Sequence, residues 1–483
     1  MNRLAKNLGY QTVYQVLNTC LPLITAPYLS RVLGAEMQGV FSYTQSIVNY
    51  FTLIAMLGFT SYGTRSIASC SNKEDLSKTF WNIYLFQIVL SLASIIIYYC
   101  NIFFLSKSHT VIYAIQGLYL LGCLIDINWL FFGVEQFKTT VTRSIIIRVL
   151  SVILIIIFVK TPQDLWIYTL IMSGSPVASN AILWGFTPKY VCLNVFKFFN
   201  IKTMVSHIKP NILLFVPVLG MSLYHILDKT MLGFLSTYTQ VGYYYNADKV
   251  INIPMGVLSG IGTVMLPRIT ALLSDGHEKK AETVFTISLE CIIVLSCAMA
   301  FGIAAISKEF TPLFFGKGFE PCIVLIIILS PALIIKGVSE TFRMQYLIPN
   351  HKEKIFIQSV FMGAAINVLV NIPLIMHLQA IGAVIGTLIA ELVACVWQYY
   401  KIQKETGIAK IFRQVISYFL IGIVMFISVR LIPLFISSVV FSLLLEVAVG
   451  IAVYGVLCFI YWSLSSNSSI KSVFKKGLRH ERF

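Results

Sequence analysis

Runs of 18 or more predominantly apolar residues recur from end to end of this sequence, and they constrain the fold more than any other feature. A helix of that length can cross the hydrocarbon core of a bilayer. The composition agrees, because 57% of the residues are hydrophobic and only 12% are charged, whereas soluble proteins carry about 25% charged residues. The alternating segments of about ten residues that are typical of a transmembrane β-barrel do not occur. The sequence therefore predicts an all-α polytopic membrane protein.

We predict about fourteen transmembrane helices joined by short connections. The predicted spans lie near residues 9–31, 38–62, 79–100, 111–134, 141–159, 165–187, 208–235, 240–266, 283–307, 321–348, 355–377, 380–400, 413–434 and 437–463. The longest connection is basic and divides the chain. The predicted organisation is a six-helix N-terminal lobe (1–187), a cytoplasmic basic connection (188–207), a six-helix C-terminal lobe (208–402), two additional helices (403–464) and a basic cytoplasmic tail (465–483).

The distribution of Lys and Arg predicts the topology. With the N-terminus inside, the inner segments carry 25 of these residues and the outer connections carry 6. Cytoplasmic loops are enriched in Lys and Arg in this way, so we expect a multi-pass protein of the cytoplasmic membrane with both termini in the cytoplasm. The net charge of +16 is therefore explained by topology, and no nucleic-acid partner is expected.

A weak internal repeat favours transport. The sequence Arg31–Gly34, followed by Tyr43-Thr44-Gln45, is echoed by Lys229–Gly233, followed by Tyr238-Thr239-Gln240. Pseudo-symmetric halves around a central cavity are a transporter architecture, with the substrate path between them. Repeats also arise as inert duplications, so this observation supports transport without deciding it.

Four charged residues are predicted near the middle of the seventh and eighth spans. In an antiparallel hairpin, Asp228 is level with Lys249, and Lys229 is level with Asp248. Charged side chains inside a membrane are costly and usually have a partner or a function. Two interpretations stay open: a buried clasp of four charges that only stabilises the fold, or the wall of a hydrated cavity in which the pairs open and close.

Further intramembrane charges lie on the tenth and fourth spans. Lys336, Glu340 and Arg343 share one helix face. Pairing of Lys336 with Glu340 would leave Arg343 without a local partner, in need of a distant carboxylate or an anionic ligand. Asp126 is predicted well inside the fourth helix as a lone carboxylate. It is either kept protonated by desolvation or serves as a proton or sodium site.

Signatures of soluble enzyme chemistry are absent from the sequence. There is no Walker motif, no metal-ligand spacing and no Gly-x-Ser-x-Gly. The ten cysteines are scattered and include no Cys-x-x-Cys, which is typical of packing residues. We therefore expect no catalytic residues, no metal site and no cofactor apart from a coupling ion, H⁺ or Na⁺.

Several motifs, in order along residues 1–402, resemble the Wzx-type polysaccharide flippases. That family belongs to the superfamily that also holds multidrug exporters and the lipid II flippase. The motifs are Pro27–Gly34, Tyr62–Arg65, Trp129–Lys138, Leu227–Gly233, Val241–Lys249 and Gly262–Arg268. The last two helices and the tail match the family only in character.

The resemblance implies a carrier that moves an oligosaccharide repeat unit linked to undecaprenyl diphosphate from the inner to the outer leaflet by alternating access. Other membrane proteins of polysaccharide assembly are expected partners beside the bilayer itself. The predicted site residues fall into two groups. The cations for the diphosphate or acidic sugars are Arg31, Arg65, Lys229, Lys249 and Arg343, and the counter-charges or coupling-ion groups are Asp126, Asp228, Asp248 and Glu340. Arg65 is equally well explained as a topology charge.

Two alternatives to a flippase stay open. A cation-coupled multidrug exporter of the same superfamily should have a net acidic cavity, which the predicted cations do not favour. A membrane enzyme, such as a polysaccharide polymerase or a glycosyltransferase, should have a large outer loop or an acidic catalytic motif in a loop. Every outer connection in this sequence is short, so the enzyme is the less favoured of the two.

Overall fold

The computed structural model describes residues 3–105, 108–406, 408–436 and 438–464, and these residues form helices and turns with no β-strand. The predicted tail at 465–483 lies outside the described residues. The chain divides into two compact units, Met1–Gly242 and Tyr243–Phe483. The predicted lobes on either side of 188–207 are defined by pseudo-symmetry, whereas these units are defined by packing. The predicted division therefore stays a prediction.

The first unit consists mainly of eleven helices within the described residues. They are α1 (Arg3–Met56), α2 (Phe59–Ala68), α3 (Lys73–Leu105), α4 (Thr110–Gln116), α5 (Leu118–Leu124), α6 (Asn128–Gly133), α7 (Phe137–Phe158), α8 (Leu165–Trp184), α9 (Val195–Phe198), α10 (Ile201–Ser206) and α11 (Ile208–Leu235). Helix α12 (Tyr238–Ser274) begins in this unit and continues into the second.

The remaining helices belong to the second unit. They are α13 (Glu278–Phe315), α14 (Pro321–Leu329), α15 (Ala332–Phe342), α16 (Glu353–Thr406), α17 (Ala409–Leu431) and α18 (Val439–Leu464). A π-helical turn, Arg343–Leu347, follows α15 directly.

Ten segments of the described chain are long and apolar enough to cross a membrane. One of them, Glu353–Thr406, contains two of the predicted spans, and another, Leu21–Ala68, contains the span 38–62 and the end of the span 9–31. The predicted spans 165–187 and 208–235 match α8 and α11 to within a few residues. The fourteen predicted spans thus all lie on helical segments, and the all-α polytopic membrane fold is confirmed.

Kinks replace two of the loops that the sequence predicted. In α1 the chain bends at Gly34, where φ is 69°, a backbone conformation that glycine adopts without steric cost. In α16 it bends at Gln379, where φ is 52°. These two residues lie in the predicted breaks between spans 9–31 and 38–62 and between spans 355–377 and 380–400. Each pair of spans therefore continues through a bend with no intervening loop.

An aromatic core holds the first unit together. Trp129 on α6 is fully buried, and its indole ring lies against Gly63 on α2, so close that a Cβ atom at Gly63 would lie 2.7 Å from the ring. Phe80 on α3 contacts the same indole, with ring centroids 5.4 Å apart. Glycine at position 63 is therefore what allows α2 to pack against α6.

The basic connection 188–207 folds against α3. The indole nitrogen of Trp81 donates to the carbonyl of Cys192 at 2.8 Å. The side chain of Asn82 donates to the carbonyl of Phe198 at 3.0 Å and accepts from the backbone nitrogen of Asn200 at 3.0 Å. Three hydrogen bonds from two neighbouring residues therefore attach this connection to the first unit.

The two additional helices pack into the core of the second unit. Tyr418 on α17 is fully buried and donates from its hydroxyl to Oε1 of Glu290 on α13 at 2.6 Å. Tyr454 on α18 donates to the carbonyl of Val294, also on α13, at 2.9 Å. Helices α17 and α18 are thus joined to α13 by buried polar contacts as well as by apolar packing.

Candidate functional site

The fourth predicted span is interrupted at Asp126. Helix α5 ends at Leu124 and α6 begins at Asn128, and the intervening Ile125 and Ile127 have non-helical backbone angles. Oδ1 of Asp126 accepts from both the backbone nitrogen and Nδ2 of Asn128, each at 2.8 Å. Asp126, predicted as a lone carboxylate well inside the fourth helix, instead lies at a break between two helices, and its carboxylate is hydrogen-bonded.

Arg143 on α7 is buried beside this break, with only 8% of its surface exposed. Its guanidinium donates from Nη2 to Oδ1 of Asn128 at 2.9 Å and from Nη1 to the carbonyl of Ser179 at 2.8 Å. Sequence reasoning counted Arg143 among the topology charges of the inner segments. Its position two residues inside the predicted span 141–159 was the signal that could have identified it as a buried residue.

Amide side chains complete this cluster. Asn180 on α8 donates to the carbonyl of Gly122 at 3.0 Å and accepts from Asn128 at 3.1 Å. Gln87 on α3 donates to the carbonyl of Asp126 at 2.8 Å. We call these five residues, Gln87, Asp126, Asn128, Arg143 and Asn180, the Arg143 network. Backbone groups freed by a helix break in a membrane need such partners, and discontinuous helices often mark transporter sites.

Two predicted cations of the first unit are exposed. Arg31 lies on α1 just before the kink, and its Nη1 donates to the carbonyl of Pro27 at 2.8 Å. Arg65 lies in the last turn of α2. Neither belongs to the Arg143 network, so the structure does not gather the predicted site residues of this unit into one cluster.

The predicted four-charge clasp joins residues of different units, and its pairing stays a prediction. Asp228 on α11 is buried, with 2% of its surface exposed, and Lys229 is half-buried. On α12, Asp248 accepts from Asn252 at 2.9 Å. Lys249 lies over the ring of Tyr245, with its Nζ 3.8 Å from the ring centroid.

Helix α11 is hydrogen-bonded to α1 through Thr230, two residues after the buried Asp228. Thr230 Oγ1 donates to Ser46 Oγ at 3.0 Å and accepts from the hydroxyl of Tyr50 at 3.1 Å. A Cβ atom at Gly233 would lie 2.1 Å from the ring of Tyr43. The repeat-containing helices of this unit are therefore in direct contact.

The second unit pairs its intramembrane charges differently from the prediction. Glu340 forms an ion pair with Arg343, including a hydrogen bond from Nε to Oε2 at 2.9 Å. Lys336 instead reaches across to Glu391 on α16, with Nζ 3.3 Å from Oε1. The expected pairing of Lys336 with Glu340 is wrong, because Glu340 is the carboxylate partner of Arg343. Arg343 therefore does not require an anionic ligand to balance its charge.

Comparisons with known proteins agree with this architecture. A family model described as "Polysaccharide biosynthesis protein" matches residues 4–273, and one described as "Lipid II flippase MurJ" matches residues 198–461. A relative from Escherichia coli (strain K12), named "Putative O-antigen transporter", is 26% identical over 80% of this chain and 94% of its own length. The "Lipid II flippase MurJ" of Bacillus subtilis (strain 168) is 24% identical over 38% of this chain and 32% of its own length.

Solved structures show the same fold at low sequence identity. "Lipid II flippase MurJ, inward closed conformation" superposes with a TM-score of 0.78 and 14% identity, covering 94% of this chain and 98% of that one. An inward-facing multidrug resistance MATE family transporter superposes with a TM-score of 0.60 and 13% identity, covering 80% of this chain and 95% of that one. The flippase match includes more of the chain than the drug-transporter match does.

Proposed function

The chain belongs to the polysaccharide biosynthesis protein family, and from this premise we propose that it is a flippase for lipid-linked oligosaccharides. The resemblance to Wzx-type flippases is confirmed by the two family models and by the O-antigen transporter relatives. These relatives are named as transporters and flippases, and the protein is a transporter rather than an enzyme. The single observation that carries the proposal is the alignment with an O-antigen transporter over 94% of that relative's length.

The proposed substrate is an oligosaccharide repeat unit linked to undecaprenyl diphosphate, moved from the inner to the outer leaflet. Such a substrate combines an anionic diphosphate, a polar glycan and a lipid tail that remains in the bilayer. The exposed guanidinium groups of Arg31 and Arg65 and the half-buried ammonium groups of Lys229 and Lys249 support this proposal, because cations bind phosphate oxygens by charge-assisted hydrogen bonds. Asp126, Asp228, Asp248 and Glu340 supply the counter-charges.

Reconstituted protein tests the proposal directly. Purified protein in liposomes should transfer a fluorescent undecaprenyl-diphosphate oligosaccharide between leaflets faster than empty liposomes do, and Lys229→Ala should slow transfer. Lys78→Ala, which removes an exposed lysine near the start of α3, is the matched control and should transfer normally. Transfer no faster than in empty liposomes with any native glycan would contradict the flippase, whereas normal transfer by Lys229→Ala would remove only that lysine.

Ion coupling is a separate part of the proposal. An inward-directed gradient of H⁺ or Na⁺ should change the transfer rate if one of the acidic residues binds the coupling ion. Rates that stay equal with and without either gradient would contradict coupling and leave the flippase itself in place.

The proposed location is the cytoplasmic membrane with both termini in the cytoplasm. Two native cysteines, both exposed, test this orientation: Cys192 in the basic connection and Cys100 near the opposite end of α3. In variants in which one of these two is the only cysteine left of the ten, a membrane-impermeant maleimide added to intact cells should label Cys100, and Cys192 should react only after the membrane is opened. The reverse pattern would contradict the proposed orientation.

A further inference from the structure

A cavity of about 350 Å³ opens on the first unit between α2 and α11. Its walls differ in chemistry. Tyr62, Arg65, Ser66 and Ser69 supply a polar wall from α2 and its C-cap, and Leu213 and Leu214 supply an apolar wall from α11. The volume lies in the range of small-molecule sites. A cavity that is polar on one side and apolar on the other suits an amphiphile.

The polar wall presents a cation whose hydrogen-bond donors are available. Arg65 is exposed, and among the residues that the structure describes it makes no hydrogen bond or ion pair. A guanidinium carries five N–H donors and binds phosphate oxygens in a bidentate manner. Ser66, the next residue, and Ser69, one turn further along, add hydroxyl groups next to it, of which that of Ser69 donates to the carbonyl of Ser66 at 2.8 Å. The ligand that satisfies these donors carries several anionic oxygens.

The apolar wall is exposed. Leu213 is 74% exposed and lies in the first two turns of α11, which the Lys and Arg distribution places at the cytoplasmic end of the seventh span. The cavity is therefore expected where lipid headgroups meet lipid chains. The cavity is also held in shape, since the hydroxyl of Tyr62 lies 2.6 Å from Nδ1 of His207, just before α11.

We propose that this cavity binds the phosphate headgroup of a membrane lipid, with the guanidinium of Arg65 on the phosphate and the lipid chain along Leu213 and Leu214. Two classes of lipid carry such a phosphate: the acidic phospholipids of the bilayer and the undecaprenyl phosphates. Because Arg65 is also one of the cations proposed above for the diphosphate, the undecaprenyl phosphate source rests on the proposed function, whereas binding of an acidic phospholipid at this cavity does not depend on transport.

Native mass spectrometry of the purified full-length protein measures this binding, with phosphatidylglycerol, undecaprenyl phosphate and inorganic phosphate as separate probes. Arg65→Gln should weaken lipid binding about tenfold, the loss of roughly 1.4 kcal/mol, and Arg65→Lys should weaken it less. Lys78→Gln, an exposed cation outside the cavity, should bind as the wild type does. Leu213→Glu, which places an anion on the chain wall, should also weaken lipid binding.

The probes distinguish the sources of the phosphate. Equal weakening for both lipids supports a site for any lipid phosphate, and weakening for undecaprenyl phosphate alone supports a site that also selects the polyprenyl chain. Inorganic phosphate that binds as tightly as the lipids would overturn the proposal. Binding by Arg65→Gln equal to that of the wild type, or an equal loss in Lys78→Gln, would overturn it as well.

Discussion

The two units accommodate their buried cations in different ways. In the first unit, the guanidinium of Arg143 is hydrogen-bonded to amide and carbonyl oxygens from two segments, to Asn128 on α6 and to Ser179 on α8. In the second, Lys336 and Arg343 each pair with one carboxylate, Glu391 and Glu340 respectively. The first arrangement is tied to an interrupted helix, and the second lies on α15, its π-helical turn and α16.

This difference has consequences for substitution. An ion pair depends on opposite charge at short distance, so exchanging the two charges should preserve much of it. The guanidinium of Arg143 also lies near the carboxylate of Asp126, but its hydrogen bonds to the neutral oxygens of Asn128 and Ser179 depend on the number and direction of its N–H donors, which no carboxylate can replace. The second unit should therefore tolerate charge exchange, and the first should not.

Arg143→Met should have the largest effect. It removes the donor to the oxygens of Asn128 and Ser179 in a membrane-spanning region, at a cost of about 1–3 kcal/mol for each oxygen left unsatisfied. The measurement is the melting temperature of the protein in detergent, together with its yield in the membrane. Arg148→Met removes an exposed arginine from the same helix and should change stability little. Equal stability of the two variants would contradict the structural role of the Arg143 network.

Lys336→Glu should have the next largest effect. It places two carboxylates together where each side chain is only 13% exposed, so we expect a loss of about 2–3 kcal/mol. The double variant Lys336→Glu, Glu391→Lys should recover most of that loss, as measured by thermal unfolding. The matching exchange in the first unit, Arg143→Asp with Asp126→Arg, should recover none. Recovery in both units would remove the distinction between them.

Glu340→Gln should have a smaller effect. The Glu340 and Arg343 side chains are 24% and 17% exposed, so loss of the pair should cost about 1 kcal/mol because solvent partly screens it. Glu282→Gln, at an exposed position on α13, is the control for removing a negative charge. The same thermal measurement applies, and a loss as large as that of Lys336→Glu would show that the two pairs are equally protected from solvent.

The pH dependence of the His207 contact should be the smallest effect. Burial lowers the pKa of His207 below its usual value of 6.5. As the pH falls below 6.5, the unfolded state binds more protons at this residue than the folded state does, so folding stability decreases. The melting temperature should therefore fall more between pH 7 and pH 5 in the wild type than in His207→Gln. A steeper fall in the variant would contradict this sign.

Sequence reasoning was most accurate where a local property decides the outcome. The length of each apolar run sets whether a helix can cross a bilayer, and the fourteen predicted spans lie on helical segments. It was less accurate for Asp126, because the break between α5 and α6 depends on amide groups from α3 and α8 that satisfy the exposed backbone. No local sequence pattern indicates which distant residues will provide these hydrogen bonds.

The sequence by itself determined the all-helical membrane architecture and the family, because apolar length and ordered motifs are properties of the chain. Only the tertiary structure decided which charged side chains form ion pairs with one another. Glu340 is close enough along the chain to pair with either Lys336 or Arg343, since both lie on its helix face. Glu391, about 50 residues further along the chain, pairs with Lys336, and Glu340 pairs with Arg343. In the same way Arg143, one of many basic residues in the sequence, became a buried residue only because α6 and α8 bring polar groups to it.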